Sequence, residues 1–304
     1  MKEIFIKVIG FIFIIILGYI CKKSSLVKKE DGTILANIIM NITLPAAIIS
    51  GASNMKINIS TLAIIMLGFF SNIILMIIAY IAERKNGELK QGIAMNNYAG
   101  YNIGNFGIPL ISSFFQGSAM QYMCMFDMGS ALMGLGGTYA YTKTRVDGNG
   151  KLDIKYLIKT ILKSRAINIY MIVFVMGFLN INMPKEIIGV TSMIGSANGF
   201  LAMFLVGVVL DIKISKKQVG AVAKIIMNRY IGNSIIALIV YFLLPLPLLA
   251  RQIIVIALFT PLSTISVVYS RMLDDNDIIP PIANSISIIT SMGIMIALII
   301  MFLN

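Results

Sequence analysis

An apolar stretch of membrane-crossing length, 96-NNYAGYNIGNFGIPLISSFF-115, carries four asparagines and is interrupted by Gly104, Gly107 and Pro109. Proline inside a helix removes a backbone donor and clashes with the carbonyl four residues back, so an interruption near Pro109 is expected. Backbone groups freed in hydrocarbon need partners. Such a break survives only where it is buried in protein or lines a watery cavity, and broken helices of this kind hold the substrate in transporters. The stretch therefore reads as half of a binding site.

The rest of the chain fits a bilayer. Of 304 residues 58% are hydrophobic and 12% charged, with a mean hydropathy of +0.89, far from a soluble domain. Ten segments are long and apolar enough to cross ~30 Å of hydrocarbon, at about 4–21, 33–53, 60–82, 92–115, 118–142, 166–183, 187–211, 219–243, 249–270 and 279–303. The N-terminal run is expected to stay as a span, because no small-residue cleavage site follows it. An all-α polytopic membrane protein is the expected fold class.

The net charge of +12 does not point to nucleic acid, because it is collected in short loops. Loops after spans 1, 3, 5, 7 and 9 hold eighteen Lys and Arg, against five on the opposite side. That bias puts those loops in the cytoplasm and both termini outside the cell membrane. The longest of them, Lys143 to Arg165, contains a turn-like 146-VDGNGKLD-153 and then a segment whose lysines and apolar residues segregate at helical spacing, as in a helix lying on the inner leaflet. It divides the chain into residues 1–150 and 151–304, five spans each. Five is odd, so related halves would enter the membrane in opposite orientation, an inverted repeat.

Matching features support that division. Span 2 carries 41-NITLPAAIIS-50 and span 7 carries 195-GSANGFLAMFLVG-207. Span 4 has Pro109, and span 9 has 258-LFTPLSTISVVYS-270, with Pro261 among Thr260, Ser263, Thr264 and Ser266. A pair of interrupted spans at matching positions points to a substrate site at the membrane midplane. Taken alone, Pro261 reads as a kink whose hydroxyl neighbours back-bond to the helix.

Within span 4, Asn97, Tyr101 and Asn105 recur every four residues with Asn102 beside them, forming one polar face. Amides suit a carboxylate ligand that must also leave, and helix N–H groups freed near Pro109 add partial positive charge. The alternative role of these amides is polar packing between helices. Asp127, about ten residues into its span, is the acidic residue placed deep in a span. A carboxylate there costs roughly 2.5–3.5 kcal/mol on insertion scales, which suits either a proton-coupling group or a structural acid hydrogen-bonded to the span-4 asparagines. Arg229 in span 8 is expected to snorkel or to pair with a carbonyl rather than to hold substrate.

Other chemistry is excluded. Histidine is absent, Cys21 and Cys124 have no metal-type spacing, and 274-DDND-277 lacks the spacing and glycine of a calcium loop. Nucleophile elbow, phosphate loop and zinc motif are missing, so neither an enzyme nor a metal or cofactor site is expected.

These residues together resemble the auxin efflux carrier family, which includes plant auxin transporters and bacterial carriers for malate or malonate. The likeness rests on Asn102, Gly107, Ile108, Pro109 and Leu110, on Asn41, Leu44 and Pro45, on Gly207, on Arg229 with Tyr230, and on Pro261. It implies a fold similar to sodium/proton antiporters and bile-acid symporters, with spans 4 and 9 crossing beside the substrate. It also implies a scaffold of spans 1, 2, 6 and 7, a moving domain of spans 3–5 and 8–10, elevator-type alternating access, and a homodimer through spans 2 and 7 near Ala46, Gly51 and Gly199. The residue matching Asn102 helps hold the carboxylate in plant members. The short central loop and the Ser and Thr beside Pro261 depart from those members, so the chain resembles the bacterial carboxylate carriers more closely. The expected substrate-binding set is thus Tyr101, Asn102, Gly104, Asn105, Gly107, Pro109, Thr260, Pro261, Ser263 and Thr264, with Asp127 for protons and sodium as the other candidate ion. A receptor or scaffold that binds an anion without moving it is the alternative.

Overall fold

The computed structural model describes residues 2–53, 55–115, 117–148, 154–210 and 214–303. Most of the expected turn over 146–153, including Lys151, lies outside the described residues, as does Lys213. The helices in chain order are α1 (Lys2–Lys23), α2 (Gly32–Ile38), α3 (Leu44–Ala52), α4 (Ile59–Ala82), α5 (Gly87–Tyr98), α6 (Ile108–Phe114), α7 (Ala119–Leu132) and α8 (Thr138–Val146). They continue with α9 (Ile154–Lys163), α10 (Arg165–Phe178), α11 (Lys185–Val209), α12 (Lys216–Leu243), α13 (Leu248–Leu258), α14 (Thr264–Leu273) and α15 (Ile279–Leu303). Wide π turns at Ile39–Thr43, Ile103–Gly107 and Met133–Gly137 join α2 to α3, lead into α6, and join α7 to α8.

Among the described residues, six helices are long and apolar enough to cross a membrane: Phe5–Lys23, Gly32–Ala52, Ile59–Ala82, Lys185–Val209, Lys216–Leu243 and Ile279–Leu303. The remaining apolar segments are built from shorter pieces, three of them being Ile103–Phe114, Arg165–Phe178 and Leu248–Leu258. Segment 118–142, read from sequence as one unbroken span, is kinked at Met133–Gly137, where Gly136 leaves helical geometry. The run Gly134, Gly136, Gly137 supplies the reason, since glycine in a helix interior costs about 1 kcal/mol relative to alanine.

The break in segment 92–115 does not lie near Pro109 as expected. It falls at 99–102, where Ala99 is extended and Gly100 has φ +81°, and Pro109 sits in the first turn of α6. Proline is tolerated there because first-turn N–H groups have no helical partner. Pro45 repeats the arrangement at the start of α3, again after a π turn. Segment 249–270 opens in the same way between α13 and α14.

The helices gather into two bundles. In one, α11 lies along α1 and α3, and α10 joins α3; in the other, α4 lies against α5 and α7, and α12 against α4, α13 and α15. Glycines set the closest approaches. A Cβ on Gly68 would strike the Phe126 carbonyl and one on Gly129 the Ile65 carbonyl, so α4 and α7 touch backbone to backbone. Gly18 against Phe204 and Gly207 against Ile15 do the same for α1 and α11. Gly195 likewise meets the Ala47 backbone, and Gly51 meets Met120. Ala46 is buried, so of the small residues expected at a dimer seam only Gly199 faces open space.

Gly129→Val should lower the thermal unfolding midpoint in mild detergent by about 5 °C or more, as overpacking costs of 1–3 kcal/mol imply. Gly10→Ala, where an added Cβ meets nothing within 4 Å, should leave it unchanged.

Candidate functional site

The two broken segments meet. Tyr101 and Leu262 form an isolated antiparallel bridge, and the Asn102 N–H donates to the Pro261 carbonyl at 3.0 Å. Other freed backbone groups are met by side chains from the surrounding helices. Asn72 of α4 accepts from the Gly100 N–H at 2.7 Å, and Ser287 of α15 accepts from the Leu262 N–H at 3.1 Å. Gly100 needs its glycine twice over, since φ is positive and a Cβ would lie 2.8 Å from Ser266 Oγ.

Arg229 of α12 closes the crossing from one side. It is fully buried, and its guanidinium donates to the carbonyls of Tyr98, Thr260 (3.3 Å) and Pro261 (3.4 Å). Its Cζ also stacks 4.8 Å from the centre of the Tyr101 ring, whose hydroxyl donates to Asn233 at 2.9 Å. Tyr98 ends α5, and Thr260 follows α13 by two residues. The cation thus sits at the carbonyl-bearing, negative ends of both half-helices. The carbonyl-pairing expected of Arg229 is the arrangement found, at a site sealed within the protein.

The opposite ends of the broken segments face a cavity of about 80 Å³. One buried water needs roughly 10–15 Å³ on this measure, so the cavity has room for a cluster of waters or a small anion. Tyr101, Asn102, Gly104 and Asn105 line it at the start of one half-helix, and Ser263, Thr264 and Ile265 at the start of the other. First-turn N–H groups of both helices lack helical partners, which gives the cavity two positive dipole ends. Asn105 Oδ1 is buried without a partner among the described residues, so this amide oxygen can accept from a ligand or water.

Asp127 completes the wall together with Ser130, Gly134 and Leu135 from the kinked segment. Its Oδ2 accepts from the Tyr170 hydroxyl at 2.6 Å, a bond reaching from α7 to α10. Tyr170, Asn72, Ser130 and Ser287 were not singled out by sequence reading. Asn72 alone carried a local signal, as an amide in the middle of an apolar run.

The structure gathers seven of the eleven sequence-selected residues, Tyr101, Asn102, Gly104, Asn105, Ser263, Thr264 and Asp127, around one cavity. The other four are elsewhere. Thr260 back-bonds to Ala257, Pro261 contributes its carbonyl to the crossing, and Gly107 lets Thr260 Cγ2 come within 3.0 Å of where a Cβ would stand. Pro109 lines a second cavity of about 450 Å³ between α3, α6 and α11. The four-residue face expected of Asn97, Tyr101 and Asn105 does not form, because extended Ala99 and left-handed Gly100 rotate the chain between them. Asn97 turns instead to Ser270 at 3.0 Å.

Replacing Arg229 by Met would strand the converging carbonyls in an apolar interior. The unfolding midpoint in detergent should fall by roughly 10 °C, with partial recovery in Arg229→Lys, since breaking a buried charged contact costs 3–5 kcal/mol.

No curated protein matches the chain. Residues 3–148, which carry the first broken segment, Asp127 and the kinked wall of the cavity, match the family model described as Membrane transport protein. Over these residues the chain is similar to the auxin efflux carrier family of membrane transporters.

Proposed function

We propose that this protein is a secondary active transporter of a small organic anion, with the carboxylate held in the cavity where the two broken segments meet. The observation that carries the reading is the convergence of two half-helix N-termini and the Asn102 and Asn105 amides on one cavity that also contains Asp127. Each helix end supplies about half an elementary positive charge, and amides donate without a permanent charge, so the site attracts a carboxylate weakly enough to release it. Malate, malonate and related carboxylates are the substrate class, as in the bacterial branch that the sequence resembles.

In this proposal the chain makes ten spans in two inverted five-span halves, 1–150 and 151–304, with both termini outside the cell membrane. The bundle of α1, α3, α10 and α11 is the scaffold, and the bundle of α4–α8 with α12–α15 is the part that moves by elevator-type alternating access. The cavity supports this division because it lies between the two bundles, with Met40, Leu44, Ala166 and Tyr170 on the scaffold side. Exposed Val190, Met193 and Phe200, with open space for a Cβ at Gly199, favour α11 as the face for a homodimer.

Purified protein in liposomes should take up labelled malate or malonate above empty liposomes. Asn102→Ala should weaken binding about tenfold or more at every pH, the loss expected for a hydrogen bond to a charged group. Binding without flux in the parent protein would replace the transporter with an anion receptor.

Coupling follows from Asp127. Ionised, it repels the anion, and protonation removes the repulsion, so proton and substrate bind together and binding tightens as pH falls. Asp127→Asn mimics the protonated form and should bind but lose both the pH dependence and proton-driven accumulation. Undiminished accumulation by Asp127→Asn would make the residue a structural acid held by Tyr170 and assign coupling to another ion, with sodium the first to test, or to the membrane potential.

A further inference from the structure

The kinked segment Met133–Gly137 has two lined faces. Gly134 and Leu135 belong to the candidate anion cavity, whereas Met133 and Gly137 belong to a separate groove of about 770 Å³ between α4 and the α7–α8 kink. Phe69, Ile73, Met76 and Ile77 form one wall of that groove, Leu132 and Met133 the other. Its polar groups stand together at one end, where Tyr80, Tyr141 and Arg145 meet. Ile77, Tyr80 and Tyr141 are 52%, 40% and 39% exposed, so the groove opens sideways from apolar helices.

Its length is informative. From Phe69 to Tyr80 the α4 wall rises about 16 Å at ~1.5 Å per residue. That is roughly one leaflet of a ~30 Å hydrocarbon core. A neighbouring membrane helix would need a face running the full thickness, but this groove begins near the middle of α4 and ends at its C-terminal end. An acyl chain has the matching length and chemistry.

Charge selects the headgroup. The Arg145 guanidinium lies 4.9 Å from the centre of the Tyr80 ring and is steadied by Gln91 at 3.4 Å. Its Glu88 contact is 3.7 Å long, to a carboxylate side chain that is 58% exposed, and such surface pairs contribute little. Exposed Lys143 is in the same last turn of α8. The amphipathic α9 lies against α8 and the kink, and its exposed Lys155, Lys159 and Lys163 add basic charge. Tyrosine hydroxyls and a basic residue at the mouth of an apolar slot are the groups that meet a phosphate at the membrane interface.

We propose that this groove binds an anionic phospholipid, one acyl chain lying between α4 and the kink and the phosphate meeting Arg145 with Tyr80 and Tyr141. The chain fills the outer side of the segment whose inner side lines the anion cavity, so an occupied groove braces that wall.

Full-length protein is reconstituted in phosphatidylcholine nanodiscs doped with phosphatidylglycerol, released into mild detergent and weighed by native mass spectrometry. The parent should retain phosphatidylglycerol about fivefold over phosphatidylcholine after correction for bilayer composition, as one basic residue at the headgroup level implies. Arg145→Gln should erase that preference while still retaining lipid, and Ile77→Trp, which fills the slot, should lose the adduct. Equal retention of the two lipids by the parent, no retained lipid, or an unchanged adduct in Ile77→Trp would each overturn the proposal. Tyr80→Phe, which keeps the ring and removes one hydroxyl, should reduce the preference without abolishing binding; a full parental preference in both Tyr80→Phe and Arg145→Gln would equally overturn it.

Discussion

A single buried cation settles the polarity of the crossing. Each broken segment ends one helix and starts another within a few residues, so it brings a negative carbonyl end and a positive amide end close together. Arg229 takes the carbonyl ends of both segments at Tyr98, Thr260 and Pro261, and is itself fully buried. The amide ends at Ile103 and Thr264 are then left to face the cavity. Neither partner is stable alone, because an unpaired guanidinium and unpaired carbonyls are both costly away from water. The two positive dipole ends at the cavity therefore depend on a cation that does not line it.

The all-helical, membrane-embedded character was legible in the sequence, whereas the breaks and the long-range bonds were not. Apolar runs and a deep carboxyl are local signals, and they marked the apolar helices and the burial of Asp127 directly. Proline marked the broken segment but not the break, because Pro109 and Pro45 occupy first turns that follow π turns. Left-handed Gly100 opens the chain nine residues before Pro109, and periodicity measured across that point fails, which is why Asn97 and Asn105 part company. The kink at Met133–Gly137 had its signal in three glycines that length and hydropathy passed over. Tyr170 could not be read at all, since its bond to Asp127 joins residues 43 apart in sequence.

Glycine at helix crossings and glycine at breaks do opposite work in the same bundle. Gly68 and Gly129 let α4 and α7 touch through their backbones, giving the bundle a stiff spine. Gly100 and the 134–137 run loosen the chain a few residues away, so the cavity wall is irregular backbone held by rigid neighbours. Asn72 links the two, since it stands one helical turn from Gly68, bonds the Gly68 carbonyl at 2.7 Å and the Ser130 hydroxyl at 3.2 Å, and accepts from Gly100. A polar side chain inside the spine thus fixes the open loop.

The bond from Tyr170 to Asp127 joins the two bundles, whereas the bonds of Arg229 and Asn72 stay within one. Any sliding of one bundle past the other leaves the crossing intact and stretches the Tyr170 contact from its 2.6 Å length. Asp127 thereby loses a hydrogen-bond donor as the bundles part. In the proposed transport cycle the position of the moving bundle and the protonation of Asp127 are then linked through one hydrogen bond. Phenylalanine at position 170 removes the donor while keeping the ring, which separates that linkage from side-chain packing.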